Sequence, residues 1–275
     1  MTGSVVGRAL PDESAGLHVT GRATYADDIP EPEGTAHGVL VLSTVAHGRI
    51  TSLDAVAAQA VPGVLAVVTA RDIPGVNSHA PRVGVDPLLA DDEVTYLGQP
   101  VAMVVASDRR VAERAAALVE VVYDALPFVL DPLEAHAAQD YVVPPMHLVS
   151  STVEAVDAAL ASAPHRAEES LRLGGQEHFY LETMAALATP LDDGSVVIRS
   201  SIQHPTEVQH VAAKVLALPY HRVRVECRRM GGAFGGKESQ AAQVASLAAL
   251  GAMLLHRAVK VRLDRRTDDR VTGKR

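Results

Sequence analysis

The chain has 275 residues, 48% of them apolar and 21% charged, with a net charge of −8. That length allows two ordinary domains with sizeable cores. The acidic balance, and aromatics at only 3% with no Trp, argue against a nucleic-acid platform or an anionic membrane as the main partner.

The opening residues, MTGSVVGRALPDESAG, hold no apolar core of signal-peptide length. Residues 1 to about 35 are rich in Gly, Pro and acids and are expected to be an irregular lead-in. Gly38–Thr44 (GVLVLST) is an apolar run of strand length. Leu53–Val61 has the spacing of a small helix ending at Pro62-Gly63, a strong breaker pair. Val64–Thr69 and Gln99–Ser107 are β-branched or apolar runs that predict buried strands. Asp108 can cap a helix over Arg109–Ala117, and Leu118–Tyr123 returns as a strand. Pro-rich sequence from Pro127 through Pro144-Pro145 marks a domain boundary.

The second block opens with a helix over Val153–Ala161. Met184–Thr189 and Ser195–Ser200 flank Pro190-Leu191-Asp192-Asp193-Gly194, which is hairpin chemistry. Pro205 sits in the first turn of a helix reaching about Leu218. Arg222–Cys227 is a strand, GGAFGG the turn after it, Ser239–Leu255 an alanine-rich helix and Val259–Leu263 a last strand. The longest apolar stretch, Ala245–Leu255, is broken by Ser246 and Gly251 and is too short to span a bilayer. The closing DRRTDDRVTGKR offers no element to follow the last strand, which leads us to expect a fragment or a split subunit. A soluble, cytoplasmic protein in a reducing compartment is the default.

Residues 231–238, GGAFGGKE, carry the chemistry. Gly231, Gly236 and Lys237 have the spacing of a phosphate-binding P-loop, but Glu238 stands where a Mg²⁺-holding hydroxyl is needed. A carboxylate there would meet phosphate oxygens with like charge. Ser239 comes one residue late, a rotation of about 100° on a helix. The backbone N–H groups of such a turn and the positive end of the following helix still suit an anionic or oxo ligand. Single glycines most often serve backbone geometry, but four in six positions around Phe234 point to a ligand face. A second glycine pair, Gly174-Gly175, precedes Gln176-Glu177-His178-Phe179-Tyr180-Leu181-Glu182. His178 and Glu182 at i,i+4 could ligate a metal, but no third ligand is evident and H-E-x-x-H is missing. His204 and His210 are read as solvated or capping residues. The single cysteine, Cys227, excludes an internal disulfide, and this chain alone cannot build four-thiolate zinc or iron–sulfur sites. It is read as an inert mid-strand thiol.

Taken together, LGGQEHFYLET at 173–183, RRMGGAFGGKESQ at 228–240 and the lead-in ESAGLHVTGRATYADDIP at 13–30 resemble the molybdenum hydroxylases of the xanthine dehydrogenase family. The resemblance is to their molybdopterin-binding subunit and covers essentially the whole chain. It implies a mixed α+β or α/β fold, with an irregular lead-in over 1–17 and an α/β-hammerhead domain over 18–125. A linker over 126–144 and the first, truncated lobe of a molybdopterin-binding domain over 145–275 would follow. It also implies roles. Gln176 would donate its amide towards an oxygen ligand of molybdenum, with Phe234 beside the metal. Gly232 and Gly235 would hold the cofactor with Gln176 and Phe234, and Glu238 would grip a purine. Ala233 departs from the pattern, where many relatives carry a third glycine.

The implied reaction is hydroxylation of hypoxanthine or xanthine towards urate with water-derived oxygen. Electrons would leave through iron–sulfur clusters and FAD on partner subunits to NAD⁺. The general base is expected beyond Arg275, so the isolated chain is expected to be inactive and to work in a hetero-oligomer with the rest of the molybdenum subunit. The alternatives are an aldehyde or carbon monoxide oxidoreductase and a non-catalytic assembly module for redox subunits. An ATP-binding protein using Lys237 is the poorest.

Overall fold

The structure is a computed structural model and describes residues 6–80, 86–148 and 150–273. Of the expected lead-in, residues 1–5 lie outside the described residues, as do the last two residues of the closing segment. The chain divides into two compact units: residues up to Leu126 together with Glu177 onward, and the segment Pro127–Gln176.

In chain order the elements are α1 (Ala15–Val19), β1 (Ala36–Leu42), β2 (Gly48–Asp54), α2 (Val56–Gln59), β3 (Val64–Val68), β4 (Glu93–Val94), β5 (Pro100–Ala106), α3 (Arg109–Ala116) and β6 (Glu120–Ala125). The smaller unit holds α4 (Pro132–Ala137) and α5 (Val153–Ser162). There follow β7 (Ala185–Pro190), β8 (Val196–Ser200), α6 (Pro205–Val215), β9 (Val223–Glu226), α7 (Ala241–Leu255), β10 (Val259–Arg262) and α8 (Arg265–Val271).

Seven strands form one sheet in the order β3-β5-β1-β10-β7-β8-β9, and β4-β2-β6 form a second, three-stranded sheet. In the large sheet only β1–β10 and β8–β9 pair in parallel. Strands from residues 36–106 and from 185–262 therefore share one layer, although the Pro-rich stretch separates them in sequence. β5 is buried along its full length because both its faces are covered. Its alternating side chains divide between two cores: Met103 and Val105 join the large one, Ala102 and Val104 the smaller one. The large core is capped by α7, buried continuously from Ala241 to Ala252, as expected for a helix that is apolar all round. Close approach decides two of its glycines. A Cβ on Gly38 would lie 2.7 Å from Met103 Sδ, and one on Gly251 would lie 3.3 Å from Val259 Cγ1.

Several expectations are corrected. Leu53 belongs to β2, so the helix before Pro62-Gly63 shrinks to Val56–Gln59. The lead-in contains α1, and the stretch expected as linker contains α4, started by Pro132 and capped by Asp131, which accepts from Leu133 N at 2.7 Å. The charged closing segment does form an element after β10. It is α8, capped by Asp264 through Thr267 N at 3.0 Å. Among the described residues no helix is long and apolar enough to cross a membrane.

Candidate functional site

The glycine turn leaves the edge strand β9 and leads into α7. Beside it runs residues 177–184, which carries no helix or strand. The His178/Glu182 spacing therefore does not place the two side chains on one helical face. The two segments are zipped together: Glu182 N donates to Gly231 O at 3.1 Å, and Gly231 N donates to Glu182 Oε2 at 2.8 Å. Only glycine fits this approach, since a Cβ on Gly231 would lie 2.5 Å from Glu182 Cβ. At Gly236 a Cβ would lie 2.8 Å from the His178 ring and 2.9 Å from that of Tyr180. Gly232 and Gly235 have φ of +92° and +95°. Phe234 is also left-handed at φ +53°, a conformation costing about 1–2 kcal/mol in a non-glycine residue. Ala233 is buried and its carbonyl accepts from Gly236 N at 2.8 Å, so the extra methyl leaves the turn closed.

Beneath the turn lies a buried polar scaffold that the sequence did not reveal. Lys237 is wholly buried, and its Nζ donates to Glu182 O at 2.5 Å and to Ser201 Oγ at 2.7 Å. It stands 3.7 Å from Glu182 Oε2 and 4.4 Å above the Tyr180 ring. Burial pushes its pKa down to about 8, while the charges of Glu182 and then Asp268 oppose that shift. Ser201 Oγ donates to Glu182 Oε2 at 2.6 Å. Tyr180 Oη donates to Asp268 Oδ1 at 3.2 Å. Burial, followed by the Asp268 charge, pushes the Tyr180 phenol well above its usual range. Burial likewise raises the Asp268 carboxyl, against hydrogen bonds from Tyr180 and Met184 N. From α8, Arg265 donates to Tyr180 O at 2.5 Å and Leu181 O at 3.0 Å, and lies 5.0 Å from the Phe179 ring centroid. Asp264 followed by Thr267 has the spacing of a helix cap, a signal that could have located α8 and with it Arg265 and Asp268.

This arrangement disposes of the P-loop. The lysine that would reach a phosphate is sequestered. Its neighbour Glu238 is exposed and has no hydrogen bond or ion pair among the described residues. Phe234 is 63% exposed, Phe179 is 68% exposed, and nothing lies within 4 Å of a Cβ built on Gly235. The turn thus presents a ring, a bare backbone and a free carboxylate over a buried, hydrogen-bonded floor. Phe234, Gly235 and Glu238 lie together on this turn with Gly232, whereas Gln176 is an exposed residue ending the smaller unit. His178 Nδ1 is buried without a hydrogen-bond partner among the described residues, its ring stacked on Tyr180. His204 pairs with Glu207 at 3.2 Å and His210 stacks on Tyr220. Cys227 falls just past β9, half-buried, with its thiol 3.6 Å from Arg229 O. Among the described residues no three His, Cys, Asp or Glu side chains gather as metal ligands.

Comparison with known proteins gives this geometry its class. Residues 20–127 match the family described as aldehyde oxidase and xanthine dehydrogenase, a/b hammerhead domain, and residues 141–275 match the molybdopterin cofactor-binding domain. Similar solved structures include the CO dehydrogenase of Oligotropha carboxidovorans, with a TM-score of 0.83 at 28% identity over 98% of this chain and 36% of that one. The aldehyde oxidoreductase of Desulfovibrio gigas gives 0.84 at 28% identity over 96% and 31%. The chain is thus built as a molybdenum hydroxylase hammerhead domain followed by cofactor-binding sequence. Xanthine dehydrogenases of Oryza sativa subsp. japonica and Blastobotrys adeninivorans are 41% and 40% identical over 99% and 98% of this chain. The chain belongs to the aldehyde oxidase and xanthine dehydrogenase family, and spans about a fifth of the length of these curated relatives.

Proposed function

We propose that the chain forms the cofactor-facing and purine-facing part of a xanthine dehydrogenase that oxidises hypoxanthine and xanthine. The observation that carries this reading is Glu238. Its carboxylate is exposed and unpaired at the end of a turn whose lysine is held inside by Glu182 and Ser201. A free carboxylate accepts hydrogen bonds from the N–H groups of a heterocycle, and the neighbouring Phe234 ring offers it a flat apolar face. The likeness to the plant and yeast enzymes supports the same substrate class.

The turn also fits the molybdenum cofactor. The space beyond Gly235 is open, and its left-handed, exposed backbone is bare. When bound, that group supplies two-electron oxidation with oxygen taken from water. On this reading Gly232 and Gly235 would hold it through the backbone, with Phe234 and Gln176 as the further residues that would serve the metal. Gln176 offers a neutral amide donor to an oxygen ligand. Residues 18–125 are the hammerhead, 126–144 a linker and 145–275 the first lobe of the cofactor domain. Iron–sulfur and FAD subunits, together with further molybdenum-subunit sequence bearing the general base, complete a cytoplasmic assembly, and the isolated chain is inactive.

The test is Glu238→Val and Glu238→Gln in the enzyme assembled with its natural partners. Because Glu238 is exposed, stability should stay within about 0.5 kcal/mol. Purine oxidation should be lost while molybdenum content is retained. Unchanged purine kinetics would refute the assignment and favour an aldehyde or carbon monoxide oxidoreductase, the reading suggested by the structural neighbours.

A further inference from the structure

A cleft of about 630 Å³ lies between the lead-in around α1 and the edge of the large sheet, and neither Phe234, Gly235 nor Glu238 lines it. Its charged lining is Arg22, Arg199, Arg224, Arg228 and Arg229 against the single carboxylate of Glu226. In a chain whose net charge is −8, this is a local concentration of positive charge. Glu226 is already committed: its two oxygens each take a guanidinium Nε at 3.0 Å, one from Arg199 and one from Arg224. That clamp fixes the two forks without neutralising the cleft. Arg229 reaches Ser14 Oγ with one Nη at 3.1 Å, while its Nε is buried with no hydrogen-bond partner among the described residues. Arg228 is exposed and has neither a hydrogen bond nor an ion pair among the described residues. Leu17, Ile29 and Tyr25 add apolar and aromatic wall.

Guanidinium groups crowded this way repel one another, and a buried, unpaired N–H carries a desolvation cost. A planar fork matches phosphate and carboxylate oxygens in pairs. The volume lies within the range of pockets for small ligands. We propose that this cleft binds a small organic anion bearing clustered phosphate or carboxylate groups, with Arg224 and Arg228 as the accessible forks and Arg229 as the buried donor. None of the glycine-turn residues 231–236 lines the site, and it does not depend on that turn's substrate.

Calorimetric titration of the full chain with pyrophosphate and with citrate tests this, and the preferred probe tells a phosphate ligand from a carboxylate one. Saturable binding to at least one is expected, weakening with added salt and at least tenfold weaker in the double variant Arg224→Gln/Arg228→Gln. Both side chains are exposed, so the double variant should keep the parent's circular dichroism; Arg228→Gln alone serves if it does not. Cys227, the chain's one cysteine, lines the same cleft, so the bound probe should slow its alkylation by iodoacetamide. No saturable binding of either probe overturns the proposal, as does binding that is indifferent to the arginine changes or that leaves the rate of Cys227 alkylation unchanged. Binding of a polyglutamate peptide but neither small anion also overturns it, and makes the cleft a protein-docking surface.

Discussion

Lys237 offers a titration that can be isolated. Its ammonium is wholly buried and burial holds its pKa near 8, whereas a lysine in the unfolded chain keeps its proton to about 10.4. Between those values the unfolded chain binds more protons than the folded protein, so this group makes stability rise with pH. Below about pH 8 both states are protonated and the group adds no slope. A window of about two pH units corresponds to a gain on the order of 3 kcal/mol. Tyr180 limits the rise. Its raised phenol keeps a proton that the unfolded chain releases near pH 10, so above that point it works in the opposite direction. Lys237→Met keeps the apolar stem and removes the titrating amine. Urea midpoints of the parent and the variant, followed by far-ultraviolet circular dichroism at half-unit steps from pH 7 to 10, should diverge in slope above pH 8. Because slopes are compared, a constant offset between the two proteins drops out. Parallel profiles across pH 8–10 would refute the claim that this ammonium is held in an unfavourable, desolvated place.

Two further outcomes follow from the geometry. Gly231→Ala places a methyl 2.5 Å from Glu182 Cβ and should lower stability by about 1–3 kcal/mol, whereas Gly235→Ala meets open space and carries only the backbone cost of about 1 kcal/mol. Thermal melts giving the opposite ranking would show that the turn and residues 177–184 are not zipped as described. Asp108→Ala removes the side chain that accepts from Arg110 N at 2.8 Å and Val111 N at 3.2 Å, and should cost about 1 kcal/mol in the same assay.

Much of the fold was legible because local pattern and final environment agree. QPVAMVVAS reads as a strand buried on both faces, and β5 is one. Asp108 reads as a cap, and caps α3. β2 was missed because GRITSLD is half polar. It sits in the small sheet with most of its side chains facing out, so no apolar run announces it. α8 was missed because RRTDDRV has no apolar stripe, and its one buried acid, Asp268, is inside only because Tyr180 and Arg265 arrive to meet it. At the site, the glycines and the outward Glu238 could be read directly. The role of Lys237 could not, since G-G-K carries no mark of whether the amine points at a ligand or into the floor. Glu182 and Ser201 decide that, and they come from segments 55 and 36 residues distant.

β10 fills the slot between β1 and β7, pairing Val259 with Ala36 on one side and Ala188 on the other. Its first partner emerges from the ribosome more than two hundred residues earlier. Until β10 arrives, β1 and β7 each show a raw, apolar flank with unsatisfied backbone groups, and the two halves of the layer have no seam. Closing a sheet over so long a loop is slow. Between the synthesis of β1 and that of β10 the nascent protein is therefore open to edge-to-edge misassociation, which chaperones or rapid translation of β10 would limit.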